Sequence, residues 1–423
     1  MMNLYDALAE RGMVQDATPA AAERLRAGPI TGYIGFDPTA DSLHVGNLVP
    51  VMALAWLQRT GGTPVVLLGG GTAMVGDPSG KRSERPVLAV ETIDANAARL
   101  RDQFARVLRF DGPAGARLLD NAEWLRSVPL MDFLRDTGKH FTVNYMLQKE
   151  SVRSRMESGI SFTEFAYMLV QAHDFWHLWT TGHVELQMGG SDQWGNITAG
   201  IELISRREGA TAHGLVLPLL TTATGAKFGK SEAGNVWLDP VKTPPTTFYD
   251  FWLNTDDRDV ERFLKIFTFL EIGDIAGVMR EHAADPGART AHRRLAWEVT
   301  ALVHGGETAD EVVATKQALF GARGGGAAVE LDALLVAVPE SNRARVSRAE
   351  LDTGLSLVDA LVRTGLASSK ADARRGIQGK GFYVGDEQVS EVDRRLGIGD
   401  VRDGSHVLLR KGKKSYGVLV VED

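Results

Sequence analysis

The segment FDPTADSLHVGN (36–47) contains the residues that are best suited to catalysis or ligand binding. It begins at Phe36, the last residue of an apolar run. Polar residues come next, and then His44, Gly46 and Asn47 stand directly before an apolar, helix-like segment. A glycine lets the backbone approach a ligand closely, and the free N–H groups at a helix N-terminus attract anions. The pattern therefore predicts a strand, a polar turn and a helix whose N-terminus could bind phosphate. A plain strand–turn–helix with a surface histidine explains these residues equally well.

A glycine-rich segment, GGGTAMVGDPSGKRSER (69–85), carries the basic residues Lys81 and Arg85. It does not match the P-loop pattern, because only three residues separate the glycines of GDPSGK and an arginine follows the lysine. A loop of this composition could still close over phosphates as a lid. A solvated basic loop is the alternative.

A second loop, GAKFGKSEAGN (225–235), places Lys227 and Lys230 on either side of Phe228 and Gly229. The two lysine charges suit a polyphosphate, and the glycine would allow its backbone to come close. Taken alone, this segment is better explained as a solvated loop.

The long helix-like segment ISFTEFAYMLVQAHDFWHLW (160–179) contains Tyr167, Gln171 and Asp174. Their spacing of i, i+4 and i+7 places all three on one face of a helix that is otherwise apolar. Polar groups on a buried face need partners, and a ligand that carries an ammonium group and a hydroxyl would supply them. A polar stripe that faces water is the alternative.

The same segment contains HDFWH, in which His173 and His177 stand four residues apart as in zinc-protease helices. The position of the usual glutamate is occupied by Asp174, and no third protein ligand is placed nearby in the sequence. We therefore expect these histidines to pack or to lie at the surface, and we predict no metal site.

The turn GGSDQWGN (189–196) follows a strand-like segment and contains Gly190 and Asp192. An acidic residue at such a place often holds the hydroxyls of a ribose in doubly wound folds. The turn does not match the nucleophile elbow of the α/β-hydrolases, because residue 193 is glutamine and not glycine.

Strand-like and helix-like segments alternate along the first half of the chain, which predicts a doubly wound, Rossmann-like parallel sheet of the α/β class. Ligands of such sheets bind at the carboxyl ends of the strands, where the polar residues above cluster. The predicted strands are 30–36, 64–70, 116–121, 184–190 and 214–222. The predicted helices run from Asn47 to the stop signal Gly61 and over 91–108, 160–179 and 195–207.

Four regions are predicted: an α/β catalytic domain over 1–244, a helical domain over 245–325, a linker region over 326–352 and a small α+β domain over 353–423. The glycine-rich segment 321–330 suggests a flexible connection. In the last domain two short helices are expected within 357–378 and strands within 381–389 and 405–421.

The last domain is rich in basic and aromatic residues, including Arg374, Arg375, Lys411 and Lys413. Positive charge combined with aromatic rings suits contact with RNA. A solvated charged face is the alternative.

The composition is that of an ordinary globular protein of 423 residues with a formal net charge of −7. The absence of cysteine excludes disulfides, thiolate metal sites and a cysteine nucleophile, and it weakly favours the cytoplasm. We expect no signal peptide and no membrane span, because the first residues have no apolar core and no run of 18 apolar residues occurs.

Together these segments resemble one family, the bacterial tyrosyl-tRNA synthetases of class I. HVGN (44–47) resembles the HIGH signature of the class, with Asn47 in place of its second histidine, and KFGKS (227–231) resembles the KMSKS signature. Further motifs of the tyrosyl branch, in chain order, are YIGFDPTADSLHVGN, GDPSGKRSER, GKHFTVNYMLQKESVRSR, ISFTEFAYMLVQAHDF and GGSDQWGNITAG. The resemblance identifies the helical domain with the anticodon-arm domain of the family and the last domain with an S-four-type RNA-binding domain.

The resemblance also implies roles for individual residues. Residues expected at the tyrosine substrate are Tyr33 and Asp174 at its hydroxyl, Asp77, Tyr167 and Gln171 at its ammonium group, and Gly35, Asp37 and Gln193 nearby. Residues expected at ATP or in catalysis are Thr39, His44, Gly46, Asn47, Gly190 and Asp192, with Lys81, Arg85, Lys227 and Lys230 at the pyrophosphate. Residues expected at RNA are Lys149, Arg206, Arg207, Arg374, Arg375, Lys411 and Lys413.

The implied reaction needs no protein nucleophile. The tyrosine carboxylate attacks the α-phosphate of ATP, and the resulting tyrosyl-adenylate passes its tyrosyl group to the 3′ end of tRNA(Tyr). Mg²⁺ is expected to enter with ATP, and a homodimer is expected to form around residues 130–155. The alternatives are a tryptophanyl-tRNA synthetase, which Tyr33 and Asp174 disfavour, a non-catalytic RNA-binding protein, and a nucleotidylyltransferase of small metabolites.

Overall fold

The computed structural model of the chain describes residues 2–79, 88–153, 156, 159–226, 228–231, 234–321, 331, 335, 338, 340–412 and 415–422. It divides into two compact units, Met1–Gly306 and Glu307–Asp423. The domain boundaries expected after residues 244, 325 and 352 stay predictions, and the compact units divide at a different place.

The first unit begins with an α/β part. Its elements in chain order are α1 (Leu4–Glu10), β1 (Asp16–Ala17), α2 (Ala21–Ala27), β2 (Thr31–Phe36), α3 (Leu48–Arg59), β3 (Thr63–Leu68), α4 (Val90–Phe104), β4 (Arg117–Asp120), α5 (Ala122–Leu125), α6 (Leu130–Asp136), α7 (Val143–Leu147), α8 (Glu150–Arg153), α9 (Phe162–Gly182), β5 (Leu186–Gly190), α10 (Trp194–Glu208), β6 (His213–Leu217), β7 (Lys230–Ser231) and β8 (Gly234–Asn235).

The main sheet has the strand order β1-β6-β5-β2-β3-β4, in which β6, β5, β2, β3 and β4 are parallel and β1 is antiparallel. The order of the parallel strands reverses between β2 and β5, so the chain winds outward in both directions from that point. The predicted doubly wound sheet is therefore confirmed. Such a reversal opens a crevice at the carboxyl ends of the two strands.

The buried elements follow from their apolar sequences. Strand β3 is apolar without alternation and is buried on both faces, as expected for a central parallel strand. Helix α3 is apolar around most of its circumference and packs against β2 and β3. It ends where predicted, with Gly61 in the left-handed region at φ +89°.

Four helices complete the first unit and confirm the mostly helical pattern expected after residue 244. They are α11 (Pro245–Leu253), α12 (Asp257–Phe267), α13 (Ile272–Ala284) and α14 (Thr290–His304). Helix α12 buries Val260, Phe263, Leu264 and Phe267, whose spacing of i, i+3, i+4 and i+7 forms one apolar face.

Arg11, which follows α1, joins the beginning of the chain to α12. Its guanidinium donates hydrogen bonds to the carbonyl oxygens of Lys265 (2.9 Å) and Leu270 (2.8 Å) and lies 3.9 Å from the centre of the Trp56 ring. Burial lowers the pKa of Arg11 to about 10. The carbonyls at the end of α12 therefore gain a cationic cap.

The second unit contains α15 (Gly306–Gly321) and a small α+β fold. Its further elements in chain order are β9 (Arg343–Ser347), α16 (Arg348–Thr353), β10 (Leu355–Ser356), α17 (Leu357–Arg363), α18 (Lys370–Gln378), β11 (Phe382–Val384), β12 (Glu387–Val389), β13 (Arg395–Leu396), β14 (His406–Lys411) and β15 (Ser415–Glu422). Its larger sheet has the order β12-β11-β14-β15-β9.

The predicted helices and strands of the last domain are present in this unit. Residues 343–352 belong to the segment predicted as a linker, yet they form β9 and most of α16, and β9 pairs in parallel with β15. Residues 322–330, which hold most of the predicted glycine-rich connection, lie outside the described residues. No helix in the described part of the chain is both long and apolar enough to cross a membrane.

Candidate active site

A polar cavity of about 600 Å³ lies at the carboxyl ends of β2 and β5, where the strand order reverses. Most of the predicted tyrosine and ATP residues line it, although they come from distant parts of the chain. These lining residues are Tyr33, Gly35, Asp37, Thr39, His44, Asn47, Asp77, Tyr167, Gln171, Asp174, Gly190, Asp192 and Gln193. The structure thus brings together a set that was selected from the sequence.

Tyr33 lies in the central strand β2, beside Val65 of β3 and Gln187 of β5. Its side chain is buried, and its hydroxyl has no hydrogen-bond partner among the described residues. Burial raises the pKa of Tyr33 well above its ordinary value, and the neighbouring Asp174 raises it further. A buried hydroxyl without a partner is costly, so this group is suited to a ligand that completes its hydrogen bonding.

Asp174 of α9 is buried, and both of its oxygens are already held. Oδ1 accepts a hydrogen bond from Trp124 Nε1, and Oδ2 accepts one from Asn121 Nδ2, each at 2.8 Å. Burial raises the pKa of Asp174 to about 8, although the two donors oppose this rise. The two hydrogen bonds fix the orientation of the carboxyl group at the cavity wall.

A chain of hydrogen bonds leads from Asp174 to Asp37. Asn121 Nδ2 also donates to Thr72 Oγ1 (3.1 Å), and Thr72 Oγ1 donates to Asp37 Oδ1 (3.1 Å). We did not predict Asn121, Thr72 or Trp124. Asn121 could have been found, because it follows β4 at the same edge of the sheet as the predicted residues, whereas nothing in the sequence marks Trp124.

Asn196 organises the other polar wall of the cavity. Its amide group donates to Gln171 Oε1 (3.2 Å) and Gln193 Oε1 (3.1 Å), while Gln193 Nε2 donates to Asp77 Oδ2 (2.7 Å). The side-chain carbonyl of Gln171 and the carboxylate of Asp77 are thereby held as fixed acceptors, which suits an ammonium group.

Gln187 also lines this cavity and was missed from the sequence. Its Oε1 is buried without a hydrogen-bond partner among the described residues. A polar residue inside the apolar strand segment VELQM is a signal that could have revealed it.

The predicted histidine turn (44–47) lies directly before the N-terminus of α3. His44 Nδ1 accepts a hydrogen bond from the Gly46 N–H (3.0 Å), and Asn47 Oδ1 accepts one from the His44 N–H (3.0 Å). Since Nδ1 is an acceptor, the proton of a neutral His44 is on Nε2. A Cβ at Gly46 would lie 2.7 Å from His44 Cε1, so a side chain at this position would displace the His44 ring.

Asp192 lies in the turn after β5 and contributes to the cavity as predicted. A Cβ at the neighbouring Gly190 would lie 2.5 Å from Asp192 Oδ1, so a side chain there would displace this carboxylate. The glycine therefore allows the carboxylate to fold back over the end of the strand.

The KFGKS segment is anchored by Phe228, which is buried in an aromatic cluster. Its ring stacks on Phe267 (5.2 Å between centroids) and contacts Phe263 (4.9 Å) and Trp252 (5.8 Å). Gly229 follows at φ +92°, where a side chain would be strained. The cluster holds the backbone between the two lysine positions.

The side chains of several predicted basic residues are not described by the structure. Lys81, Arg85, Lys227 and Lys413 lie outside the described residues, and the structure describes the backbone of Lys230 in β7 but not its side chain. Their predicted roles stay predictions.

The two histidines of HDFWH make packing contacts. His173 is buried and hydrogen-bonds through Nδ1 to Thr137 Oγ1 (3.0 Å), and burial lowers its pKa to about 4. His177 stacks on Trp124 with 4.3 Å between ring centroids.

The predicted RNA-binding residues fall into both units. In the first unit, Lys149 Nζ donates to Thr198 Oγ1 (3.0 Å), and the Arg207 guanidinium lies 3.6 Å from the centre of the Trp176 ring. Arg206 donates a hydrogen bond to the carbonyl oxygen of His140. These three cations are tied to neighbours, and a role in RNA binding stays a prediction.

In the second unit, Arg374 and Arg375 are exposed on α18, and Lys411 is exposed at the end of β14. Lys411 Nζ lies 3.8 Å from a carboxylate oxygen of Asp372. Exposed cations on a helix and an adjacent strand are compatible with contact to a phosphate backbone.

Comparison with known proteins agrees with this geometry. The model of the family described as tRNA synthetases class I (W and Y) matches residues 25–321, and that of the tyrosine–tRNA ligase SYY-like C-terminal domain matches residues 340–419. The tyrosine–tRNA ligase of Anaeromyxobacter dehalogenans (strain 2CP-1) is 58% identical over 421 residues, which cover 100% of both chains. The chain belongs to the tyrosine–tRNA ligase family.

Other members support the same assignment. The tyrosine–tRNA ligase of Roseiflexus castenholzii is 50% identical, with 99% of each chain covered. The crystal structure of a C-terminally truncated mitochondrial tyrosyl-tRNA synthetase from Aspergillus nidulans is 34% identical, with a TM-score of 0.69, and covers 76% of this chain and 95% of that chain. For a tyrosine–tRNA ligase, the buried Tyr33 hydroxyl and the Asp174 carboxyl lie at a cavity where a phenol could be recognised.

Proposed function

We propose that this chain activates L-tyrosine with ATP and transfers the tyrosyl group to the 3′ end of tRNA(Tyr). The observation that carries the proposal is the pairing of Tyr33 and Asp174 in the cavity wall, with one hydroxyl that has no partner in the described structure and one carboxyl held in place. These two groups offer a donor and an acceptor to the phenolic hydroxyl of tyrosine. Indole, the side chain of tryptophan, has no hydroxyl to match them.

The amino-acid end of the substrate would lie against the wall built around Asn196. Asp77 and the Oε1 atom of Gln171 would accept hydrogen bonds from the ammonium group, with Tyr167 beside them. Gln193 would lie towards the carboxylate. Asn196 holds the side-chain carbonyls of Gln171 and Gln193 before the substrate arrives. These side chains therefore lose little conformational entropy when the substrate binds.

ATP would bind with its phosphates at the N-terminus of α3. His44 Nε2–H and Thr39 would donate to the phosphate oxygens, and the Nδ2 amide of Asn47 would donate to the ribose, since its Oδ1 already accepts from the His44 N–H. Asp192 would hold the ribose of the adenylate. Fixed donors aimed at developing charge are an effective source of catalysis.

The pyrophosphate would be clamped by Lys81, Arg85, Lys227 and Lys230, and Mg²⁺ would enter as the complex with ATP. The tyrosine carboxylate attacks the α-phosphorus, the bond to the bridging oxygen breaks, and pyrophosphate leaves. No protein nucleophile takes part, so the chain contributes positioning and charge stabilisation.

The second unit would contact tRNA through Arg374, Arg375 and Lys411, with Lys413 adjacent in sequence. Neutralisation of phosphates by such cations gives affinity without base specificity. We place this reaction in the cytoplasm, in line with a chain that contains no cysteine.

A homodimer would form around residues 130–155, and the first part of this stretch carries exposed apolar side chains. Leu130 and Met131 of α6 are 70% and 72% exposed, and Val143 of α7 is 60% exposed. Large exposed apolar side chains in one stretch are typical of a protein interface. Met131→Asp should convert the dimer to a monomer in sedimentation equilibrium, and an unchanged mass would contradict this interface.

ATP–pyrophosphate exchange measured with each of the twenty amino acids tests the proposed reaction. We expect tyrosine to give the highest kcat/KM. A different best substrate would overturn the assignment to tyrosine, and a complete lack of exchange would favour a non-catalytic RNA-binding protein.

A further inference from the structure

Three helices that take no part in the described cavity bring together Asp257, His282 and His292. Asp257 begins α12, His282 lies near the end of α13, and His292 lies in the first turn of α14. One ligand atom from each residue lies within 4.8 Å of the other two. His292 Nε2 is 2.9 Å from Asp257 Oδ1, and the centroids of the two imidazole rings are 5.0 Å apart.

The two imidazoles are buried, and their polar atoms are not fully satisfied. His282 and His292 are only 6% and 0% exposed, and Nδ1 of each has no hydrogen-bond partner among the described residues, whereas His292 Nε2 lies 3.1 Å from the carbonyl oxygen of Thr255.

We propose that Asp257, His282 and His292 bind a divalent transition-metal ion, with zinc as the best fit. Imidazole nitrogen and carboxylate oxygen are ligands of zinc, with bond lengths of about 2.0–2.2 Å. In a tetrahedral site two such ligands are separated by about 3.4 Å, so His292 Nε2 and Asp257 Oδ1, which are 2.9 Å apart, need to separate only slightly to hold an ion between them. Magnesium does not fit, because it prefers an all-oxygen octahedron.

The exposure of Asp257 completes the coordination. Its side chain is 69% exposed, so water can reach the ion from that side while the imidazoles bind it from the interior. Two histidines, one carboxylate and one water give zinc four ligands. The chain has no cysteine, so thiolates cannot compete for the ion.

The ion would join α12, α13 and α14, whose side chains already pack against one another. Because the ligands come together only in the folded chain, the free energy of binding adds to the free energy of folding. The site lies outside the tyrosine and ATP cavity, and its occupancy does not depend on the proposed reaction.

The test uses the full-length, untagged chain after treatment with a chelator. Titration calorimetry with ZnCl₂ should show one saturable site per chain, MgCl₂ should show none, and zinc should raise the Tm. Asp257→Ala should weaken zinc binding by at least about tenfold, since even the outer hydrogen-bond partners of metal ligands contribute that much. Asp274→Ala is the matched control, because Asp274 is also an exposed acid in the first turn of a helix.

His282→Gln is the second variant, and we expect it to lose zinc binding at this site. The far-UV circular dichroism and the Tm without metal show whether it folds. If it does not fold, the comparison of Asp257→Ala with Asp274→Ala decides, because neither removes a buried side chain. Equal zinc affinity in Asp257→Ala, Asp274→Ala and the parent chain, or the absence of a saturable site, would overturn the proposal.

Discussion

A Cβ atom at Gly229 would lie 3.2 Å from the backbone nitrogen of Gly46, so the KFGKS and HVGN motifs meet backbone to backbone. A side chain at Gly229 would press on the backbone of Gly46, and Gly229 is held in the left-handed region beside the buried Phe228. The contact sets the distance between the KFGKS segment (227–231), called the lysine segment below, and the histidine turn at 44–47. In the proposed reaction, groups from the two motifs would therefore act on the same phosphates.

Gly229→Ala should lower kcat for tyrosine activation by about tenfold to a hundredfold, because small misplacements of charge-stabilising groups have effects of this size. The KM for tyrosine should change less, since the residues that are predicted to bind the substrate tyrosine lie elsewhere in the cavity. Gly209→Ala is the control, because Gly209 has a similar positive φ of +64° but no atom near its Cβ position. Pyrophosphate-exchange kinetics of both variants measure the difference, and equal losses would indicate backbone strain alone.

Tyr33→Phe should reduce discrimination between tyrosine and phenylalanine by about tenfold, the scale of one neutral hydrogen bond. It should not lower the Tm, because the Tyr33 hydroxyl has no partner to lose among the described residues of the ligand-free chain. The kcat/KM values for both amino acids in pyrophosphate exchange provide the measurement. An unchanged ratio would mean that the substrate hydroxyl is recognised by other groups.

Asp174 should make the stability of the chain depend on pH. Its pKa is raised from 3.8 to about 8 by burial, so the folded chain binds one more proton than the unfolded chain between these values. The stability that this neutral carboxyl contributes is present below the lower value and is lost as the pH rises through the higher one. The free energy of unfolding should therefore fall, relative to Asp174→Asn, as the pH rises from about 4 to about 9.

Urea denaturation of the parent chain and of Asp174→Asn over this pH range measures the effect. The exposed Asp274→Asn variant serves as a control, and its difference from the parent should stay flat. A difference between the parent and Asp174→Asn that does not change with pH would show that Asp174 is ionised throughout.

Deletion of residues 331–423 should separate the two steps of the reaction. Pyrophosphate exchange should remain nearly intact, because the cavity is built from residues of the first unit. Charging of tRNA should weaken, and the salt dependence of tRNA binding should become less steep, because fewer phosphates are neutralised. Loss of exchange with unchanged tRNA affinity would contradict this division.

The sequence was most informative where polar residues follow apolar strands. Asp37 and Asp192 were identified in this way, and both line the cavity. The spacing of Gln171 and Asp174 predicted that they share one helix face, but it left open whether that face meets a ligand or water. These signals are local. They require only the spacing of apolar and polar residues along one helix or strand and the position where that element ends.

The missed residues depend on packing between distant segments. Trp124 and Asn121 reach Asp174 across 50 and 53 residues of chain, and no local pattern predicts those two hydrogen bonds. Strand β1 has only two residues, which is too short for any period to appear. Strand β9 places arginines at alternate positions, and its pairing with β15 makes it a strand.

The guanidinium of Arg11 has a consequence for how the first unit denatures. It is 2% exposed and is bonded to carbonyls beyond residue 264, so release of Arg11 together with the first helix would leave those carbonyls without their cationic partner and uncap α12. The aromatic cluster around Phe228 rests on that same helix. Melting of the N-terminus, of α12 and of the lysine segment is thereby coupled into one cooperative transition, in which the ability to activate an amino acid disappears together with the fold.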